Sequence, residues 1–398
     1  MGIAGNNKFD FDTIVDRRNT NSIKHDFATW RGKPEGVIPL WVADMDFPAP
    51  PCVIEALTKK ANHGIFGYSD TTEEYDAVLA DWFRRRFHWQ IESDWLIKTP
   101  GIVTAIYIAI QAFTDLGAAV LIQQPVYHPF AAAIQKTNRQ LVVNELALKD
   151  KRYEIDFDDF AEKIIRNKVK LFILCSPHNP VGRVWTKEEL IRMGEICLRH
   201  NVLVIADEIH ADIIYPPHVH HVFADLRPEF LGFTITCTAP SKTFNLAGLH
   251  LSNLFIANEE LRKSFLRAYQ VAGLDGVNIM GIVAGEAAYK DGEEWLEELN
   301  VYLKGNYDFL ADYIAKELPS LKLIKAEGTY LAWLDFRKWG LSPVELDDFV
   351  TNKAGLWLNA GTMFGIGGAG FQRMNFACPR SILLKALEQL KKAENAVR

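Results

Sequence analysis

Short runs of apolar residues alternate with helical patterns through the middle of the 398-residue chain, and this alternation constrains the fold most strongly. Five of these runs are apolar throughout instead of alternating with polar residues: DWLIKTP, AAVLIQQP, VKLFILCSP, VLVIADE and GFTITCTAP. Such strands are typical of a parallel sheet that is buried on both faces, with helices as the connections. The sequence therefore predicts an α/β fold with a mainly parallel sheet.

The pattern changes at about residue 285. A long amphipathic helix, GEEWLEELNVYLKGNYDFLADYIAKEL, is followed by the strand-like run TYLAWLDF, a glycine-rich segment and a final helix. A chain of this length favours two domains. We predict a large domain over residues 50–288 and a smaller α+β domain from residues 1–49 and 289–398, because the first residues fit no strand–helix unit.

Composition excludes several classes of function. The net charge is −6, from 44 basic and 50 acidic residues, so we expect no nucleic-acid partner and no membrane association. The five cysteines are odd in number and scattered, which indicates reduced thiols in a cytoplasmic protein. The HVHH stretch has no carboxylate or cysteine at ligand spacing, so we expect no metal site.

Polar residues follow the predicted strands at the points where the strands end. In open α/β sheets, ligands bind beyond the carboxyl ends of the strands. The stretch GIVT, residues 101–104, opens a helix and suits a phosphate. Tyr127 offers an aromatic face and Asn179 an amide after the next two strands. Each of these residues alone has an ordinary explanation in a turn or a core, and the signal lies in the set.

Asp207 and Lys242 complete this set. Asp207 ends the most apolar strand, where a carboxylate is costly unless a cation pairs with it. Lys242 follows the next strand, GFTITC, closely. A phosphate cradle, an aromatic face, an amide, a buried carboxylate and a lysine are what pyridoxal 5′-phosphate requires. We therefore predict this cofactor, with Asp207 on its ring nitrogen and Lys242 bonded to it covalently.

The motifs TPGIVTAI, QQPVYHPF, SPHNPVGRVW, ADEIHADI and APSKTFNLAG resemble those of fold-type I aminotransferase-like enzymes. With PLWVADMDFPAP and FGYS, the chain resembles the MalY/PatB branch of C–S lyases, which includes cystathionine β-lyase and cystalysin-like enzymes. The resemblance spans about residues 8–390. It implies a large domain with a seven-stranded sheet flanked by helices, and β-elimination of sulfur amino acids to a thiol, pyruvate and ammonia.

The resemblance also implies which residues bind the cofactor and react. Lys242 forms the Schiff base and moves the α-proton, Asp207 pairs with the ring nitrogen, and Tyr127 stacks on the ring. The implied cofactor-binding residues are Ile102, Val103, Tyr127, Asn179, Asp207, His210, Ser241, Lys242 and Tyr68.

Two further roles concern the substrate and the neighbouring subunit. Arg373 matches the arginine that binds the substrate α-carboxylate, and the backbone near Ala43 lies at the same end. Tyr68 matches a tyrosine that reaches the phosphate in the neighbouring subunit, which implies a homodimer with shared active sites.

Two positions depart from the related patterns. His250 stands where aminotransferases usually have an arginine for the phosphate, and His128 stands where cystalysin-like enzymes have a second tyrosine. The first departure favours the lyase over an aminotransferase, although the cofactor motifs serve both. A regulatory protein that uses this fold to bind a partner is a third alternative, which the complete catalytic set opposes.

Overall fold

A computed structural model describes residues 8–397 of the chain. Residues 1–7, the beginning of the predicted small-domain segment, and residue 398 lie outside the described residues. The strands are β1 (Ile38–Pro39), β2 (Leu96–Thr99), β3 (Ala119–Gln124), β4 (Gln140–Glu145), β5 (Ala147–Lys149), β6 (Arg152–Glu154), β7 (Leu171–Cys175), β8 (Leu203–Asp207), β9 (Thr234–Thr238), β10 (Ser252–Phe255), β11 (Lys322–Leu323), β12 (Leu331–Asp335), β13 (Leu356–Trp357), β14 (Asn359–Ala360) and β15 (Phe371–Asn375).

Helices connect most of these strands and cover the sheets. The α-helices are α1 (Pro51–His63), α2 (Glu73–Phe87), α3 (Ile102–Phe113), α4 (Pro129–Lys136), α5 (Phe157–Asn167), α6 (Lys187–Arg199), α7 (Pro240–Thr243), α8 (Glu259–Val271), α9 (Ile279–Asp291), α10 (Glu293–Glu317), α11 (Pro343–Asp348) and α12 (Arg380–Val397). Short 3₁₀ helices span Thr29–Arg31, Ser93–Trp95, Phe223–Asp225, Pro228–Phe233, Ala247–Leu249, Arg337–Trp339 and Gly361–Phe364, and a π-helix spans Phe349–Lys353.

The main sheet has seven strands in the order β2-β10-β9-β8-β7-β3-β4. Strands β4, β3, β7, β8 and β9 pair in parallel, and β10 runs antiparallel to both β9 and β2. The predicted fold class, with a mainly parallel sheet flanked by helices, is confirmed. Because β2 points in the same direction as the parallel strands, the carboxyl ends of six strands lie along one edge.

Local sequence signals set several helix starts. Thr186 and Glu189 form a capping box at the start of α6, in which each side chain accepts a hydrogen bond from the other residue's backbone N–H. Helix α4 begins at Pro129, whose missing N–H costs nothing in the first turn. Helix α3 begins at Ile102, next to Gly101, as the GIVT stretch predicts.

A second, antiparallel sheet lies in the C-terminal part, with the order β11-β12-β15-β14. The N-terminal part of the chain pairs with the C-terminal part in a separate two-stranded sheet, in which β1 runs parallel to β13 with Ile38 opposite Leu356. Phe11 also packs against Trp295 of α10, with ring centroids 5.7 Å apart. No α-helix within residues 8–397 combines the length and the apolar character that crossing a bilayer requires.

Candidate active site

The predicted cofactor residues collect at the carboxyl edge of the main sheet. Gly101 follows β2, Tyr127 follows β3, Asn179 follows β7, Asp207 ends β8, and Lys242 lies in α7 just after β9. These strands run in one direction and are neighbours or near neighbours in the sheet. The topology therefore brings to one place residues that are more than a hundred positions apart in the sequence.

Asp207 is almost completely buried, with 4% of its surface exposed. Its register partners on the two adjacent strands are Cys175 and Cys237, both buried and with pKa values that burial raises. Burial raises the pKa of Asp207 to about 7, against the lowering effects of the Ile209 N–H and the charge on Lys242. A cation beside Asp207 would restore the charged carboxylate.

Lys242 is half-buried, and its amine donates a hydrogen bond to the Ala43 carbonyl at 2.7 Å. Burial lowers the pKa of Lys242 to about 8; the charge on Asp44 raises it and that on Arg373 lowers it. A lysine with this pKa has a substantial neutral fraction near neutral pH. Only the neutral amine can attack an aldehyde or take a proton.

Arg373 points into the site from β15 and is 4% exposed. Its two terminal nitrogens donate to the Asn179 side-chain oxygen at 2.9 Å, to the Trp41 carbonyl at 2.9 Å and to the Asn359 side-chain oxygen at 2.6 Å. Its Nε is buried and has no hydrogen-bond partner among the described residues. The guanidinium is thus fixed by neutral oxygens, and its charge is left for an anionic ligand.

Asn179 and Tyr127 are joined through the backbone, because the Tyr127 N–H donates to the Asn179 carbonyl at 3.0 Å. The Asn179 side-chain oxygen is engaged by Arg373, so its NH₂ group is left to face a ligand. Asn179 thereby connects the predicted cofactor position to the predicted carboxylate position, a link that the sequence did not indicate.

A phosphate position is formed by the start of α3. The first backbone hydrogen bond into this helix joins the Ala105 N–H to the Gly101 carbonyl at 3.1 Å, so the N–H groups of Ile102 and Val103 have no partner within the helix. No side chain caps this end. Ser241 lies in α7, one residue before Lys242, and is half-buried. These groups fit a phosphate.

His210 supplies a further sign that the site is built for a polar ligand. It is 3% exposed, and its Nδ1 has no hydrogen-bond partner among the described residues. Burial lowers the pKa of His210 to about 3, with further lowering by the charges on Lys242 and Arg373, so the ring is neutral. Together with the free Arg373 Nε and the open start of α3, this unpaired nitrogen fits pyridoxal 5′-phosphate.

Tyr330 is a site residue that sequence reasoning missed. Its side chain is 0% exposed, and its hydroxyl donates to the Ala43 carbonyl at 3.0 Å, the same oxygen that accepts from Lys242. A carbonyl oxygen and a carboxylate both only accept hydrogen bonds, so a contact between Ala43 and a substrate carboxylate would have to come from the Ala43 N–H. The run TYLAWLDF predicts a strand, and nothing in that pattern marks its tyrosine.

Three of the residues discussed from sequence are exposed, and one of them, His128, lies beside the site with its ring 5.5 Å from the Tyr127 ring. Tyr68 is fully exposed, beside Phe66 and residues 275–280. His250 and His128 are also exposed. In the HVHH stretch, His220 pairs with Glu208 at 2.9 Å, and no cluster of three or more potential metal ligands occurs within residues 8–397.

Comparisons with known proteins identify the family. Residues 35–390 match the family model Aminotransferase class I and II. The chain is 41% identical to the cystathionine β-lyase PatB of Bacillus subtilis (strain 168), over 96% of this chain and 99% of PatB. It is 34% identical to the protein MalY of Escherichia coli (strain K12), over 98% of this chain and 100% of MalY.

A solved structure is similar over the whole fold. Cystalysin from Treponema denticola, whose crystal structure contains pyridoxal 5′-phosphate, superposes with a TM-score of 0.95 and 38% identity, over 98% of this chain and 100% of cystalysin. Its cofactor agrees with the fit of the site described above. The chain therefore belongs to the class I and II aminotransferase family and, within it, to the pyridoxal-phosphate-dependent C–S lyases.

Proposed function

We propose that the chain cleaves the Cβ–S bond of cystathionine and of cysteine by β-elimination, with Lys242 as the base. The observation that carries this proposal is the Lys242 amine, held 2.7 Å from the Ala43 carbonyl with its pKa lowered to about 8. Such an amine can both bond to an aldehyde and remove a proton from a carbon acid. When bound, pyridoxal phosphate supplies an electron sink that stabilises negative charge on the substrate Cα.

The other residues of the site orient the reactants. Arg373 binds the substrate α-carboxylate through its free Nε, and Asn179 and Asn359 hold the guanidinium in place for it. Asp207 holds a proton on the cofactor ring nitrogen by pairing with it. Tyr127 covers the ring face, and the N–H groups of Ile102 and Val103, with the hydroxyl of Ser241, bind the phosphate.

The reaction balances with one water molecule. The neutral Lys242 amine takes the Cα proton, the Cβ–S bond breaks, and sulfur leaves as a thiol after protonation. The remaining three-carbon fragment takes up water and ends as pyruvate and ammonia. Cystathionine would give homocysteine, and cysteine would give hydrogen sulfide.

We also propose that two chains form a homodimer in which Tyr68 serves the phosphate of the partner's site. Tyr68 is 112% exposed, and its neighbours Ile65 and Phe66 are 66% and 59% exposed, a clustering of large apolar side chains that is typical of an interface. The division into a domain of residues 50–288 and one of residues 1–49 and 289–398 also remains our proposal. The free state of all five cysteines supports a cytoplasmic location.

Turnover without a second substrate tests the proposed reaction. The purified protein is incubated with L-cystathionine, and separately with L-cysteine, in the absence of any 2-oxo acid. We expect pyruvate to form together with homocysteine or sulfide, in equal amounts. Pyruvate is followed with lactate dehydrogenase and the thiol with a thiol reagent.

Two other results would overturn the proposal. Turnover only after a 2-oxo acid is added would show an aminotransferase, which needs the same lysine, aspartate and arginine. Bound cofactor without turnover of either substrate would favour a binding role. Lys242→Ala is the control for the lysine: a borohydride-trappable adduct that survives this change would contradict its assignment.

A further inference from the structure

The segment Trp41–Phe47 runs along the active site with its carbonyl groups held by side chains instead of by a neighbouring strand. Arg373 binds the Trp41 carbonyl, and Asn375 binds those of Val42 and Asp44 at 2.7 and 2.5 Å. Asn245 binds the carbonyls of Met45 and Phe47 at 3.0 and 2.9 Å. The backbone on both sides of Ala43 is therefore fixed, and the direction of its carbonyl is fixed with it.

The Ala43 carbonyl has two donors, and only one of them is permanent. The Lys242 amine donates to it at 2.7 Å while the amine is free, and the Tyr330 hydroxyl donates at 3.0 Å. When Lys242 bonds to an aldehyde, the neutral amine loses both N–H hydrogens, which leave with the aldehyde oxygen as water. The Ala43 carbonyl then no longer has Lys242 as a donor, and the Tyr330 hydroxyl is the donor that remains.

We propose that Tyr330 is a positioning residue that keeps the Ala43 carbonyl hydrogen-bonded, and directed at Lys242, in both the free and the cofactor-bonded state of the lysine. Ala43 is half-buried, and a carbonyl shielded from water costs free energy when it has no donor, so without Tyr330 the bonded state alone would carry that cost. With Tyr330, the Ala43 carbonyl keeps a donor in both states of Lys242. This inference rests on the proposed role of Lys242 as the lysine that bonds to the cofactor.

Hydrogen bonds fix the backbone just before Tyr330 and thereby help to position its side chain. Thr329 adopts φ 66°, in the left-handed region that a β-branched residue rarely occupies. Its N–H donates to the Ile213 carbonyl at 2.8 Å, and the Tyr215 hydroxyl donates to its carbonyl at 2.6 Å. The surroundings therefore impose this conformation. The Tyr330 ring also meets the His210 ring edge to face, at 5.7 Å.

A double-mutant cycle tests the proposal through cofactor affinity. The cofactor is removed, and the protein is titrated with pyridoxal phosphate while cofactor absorbance is followed, for the unmodified chain, Tyr330→Phe, Lys242→Ala and the double variant. We expect Tyr330→Phe to raise the Kd about 10-fold when Lys242 is present, because the Ala43 carbonyl then has no donor in the cofactor-bonded state. In the Lys242→Ala background we expect a change below about 2-fold, because no lysine then moves between two states.

Tyr75→Phe is the matched control. Tyr75 is also buried, and its hydroxyl donates to the Asn253 side chain at 2.8 Å, a residue outside the cofactor site. We expect it to lower the thermal midpoint about as much as Tyr330→Phe does, with the Kd for pyridoxal phosphate unchanged.

Each alternative outcome has a distinct meaning. An equal rise in Kd in both lysine backgrounds would mean that Tyr330 acts by packing and would overturn the proposal. An unchanged Kd in both backgrounds would overturn it too, because the Ala43 carbonyl would then need no second donor. If borohydride still traps the cofactor on Lys242→Ala, the assignment of the lysine is wrong, and the failure lies in the proposed function.

Discussion

Asp207 and Lys242 carry opposite charges, and burial shifts both toward their neutral forms. The pKa of Asp207 rises to about 7 and that of Lys242 falls to about 8, with loss of hydration as the largest cause in both cases. The shift in Lys242 serves the reaction directly, because a neutral amine is the reactive form. The shift in Asp207 is a cost that the protein bears until a cationic ring nitrogen binds beside it.

Because the buried, charged Asp207 carboxylate destabilises the cofactor-free protein, we expect Asp207→Asn to stabilise that protein at high pH. The pKa of Asp207 in the folded protein, about 7, exceeds its ordinary value of 3.8, so between these values the folded protein holds a proton that the unfolded chain has released. Stability therefore falls as pH rises through this window, and the asparagine variant lacks that fall. We expect the variant to gain about 2–4 kcal/mol relative to the unmodified chain between pH 4 and pH 8, measured by urea unfolding.

Asp335→Asn is the control of opposite sign. Burial alone would raise the pKa of Asp335. The ion pair with Arg337, at 2.9 Å, outweighs burial and holds this pKa below its usual range. Its asparagine variant should therefore lose relative stability as pH rises through the acid range. Parallel pH profiles for Asp207→Asn and the unmodified chain would contradict the first prediction.

How far single site residues could be predicted depends on where their partners lie. Lys242, Asp207 and Asn179 stand at strand ends, and the alternation of strands and helices places strand ends together. Tyr330 contacts Ala43, 287 positions away, because the segment Trp41–Phe47 packs beside strands β12 and β15. No local pattern describes that packing, so Tyr330 could not be found from the sequence alone.

At the scale of elements, the segment Trp41–Phe47 behaves as a rigid part of the site although it is no strand. Asn375 contributes to this, because its amide donates to two carbonyls of the segment and its oxygen accepts from the Ala377 N–H at 2.8 Å. A single buried side chain thus couples β15, which carries Arg373, to the backbone that meets Lys242. The two ends of the substrate site are positioned by the same element.

Asn375→Ala should therefore reduce both stability and turnover. The half-buried Val42 carbonyl and the buried Ala377 N–H lose their partner, and the Asp44 carbonyl keeps only Lys24 at 3.3 Å. We expect a loss of about 2–4 kcal/mol in the free energy of unfolding. We expect kcat on L-cystathionine to fall about 10-fold, because the Ala43 carbonyl no longer holds Lys242 in one direction. Denaturant unfolding and steady-state kinetics measure the two effects.

Asn306→Ala separates lost stability from lost positioning. Asn306 is equally buried and binds the carbonyls of Phe376 and Cys378 at 3.0 and 2.9 Å, outside the segment Trp41–Phe47. It should lose similar stability while kcat stays within about 2-fold. If kcat falls equally in both variants, the segment has no special role in positioning Lys242.

The sequence predicts helices and strands where their local residue pattern is regular. The capping box of α6, the start of α4 and the apolar strands β3, β7, β8 and β9 all follow from local pattern. The local sequence pattern does not identify strands β4 and β10. In β10, Ser252 and Asn253 are both 0% exposed and break the apolar run, and the Ser252 hydroxyl is bonded to β2. Such burial depends on partners in other strands, which local pattern does not show.

At the scale of the whole molecule, residues 8–49 pack together with residues 289–397. Lys24, with 0% of its side chain exposed, pairs at 2.8 Å with Asp46, which belongs to the segment Trp41–Phe47. Phe11 packs against Trp295 of helix α10, and strand β1 pairs with strand β13. One chain thus provides every contact described for the lysine, the carboxylate site and the ring, and Tyr68 is the predicted site residue that points away into solvent.

Mixing two inactive variants tests whether Tyr68 serves the partner's site. Lys242→Ala and Tyr68→Ala chains are unfolded together in equal amounts and refolded, or coexpressed, and lyase activity is measured. If Tyr68 crosses to the partner, each mixed dimer contains one site with an intact Lys242 and an intact Tyr68. Random assortment then restores about a quarter of the unmodified activity, since half of the dimers are mixed and half of their sites are complete. If Tyr68 instead served its own chain, every site of a mixed dimer would carry one defect, and activity would stay at the level of the separate variants.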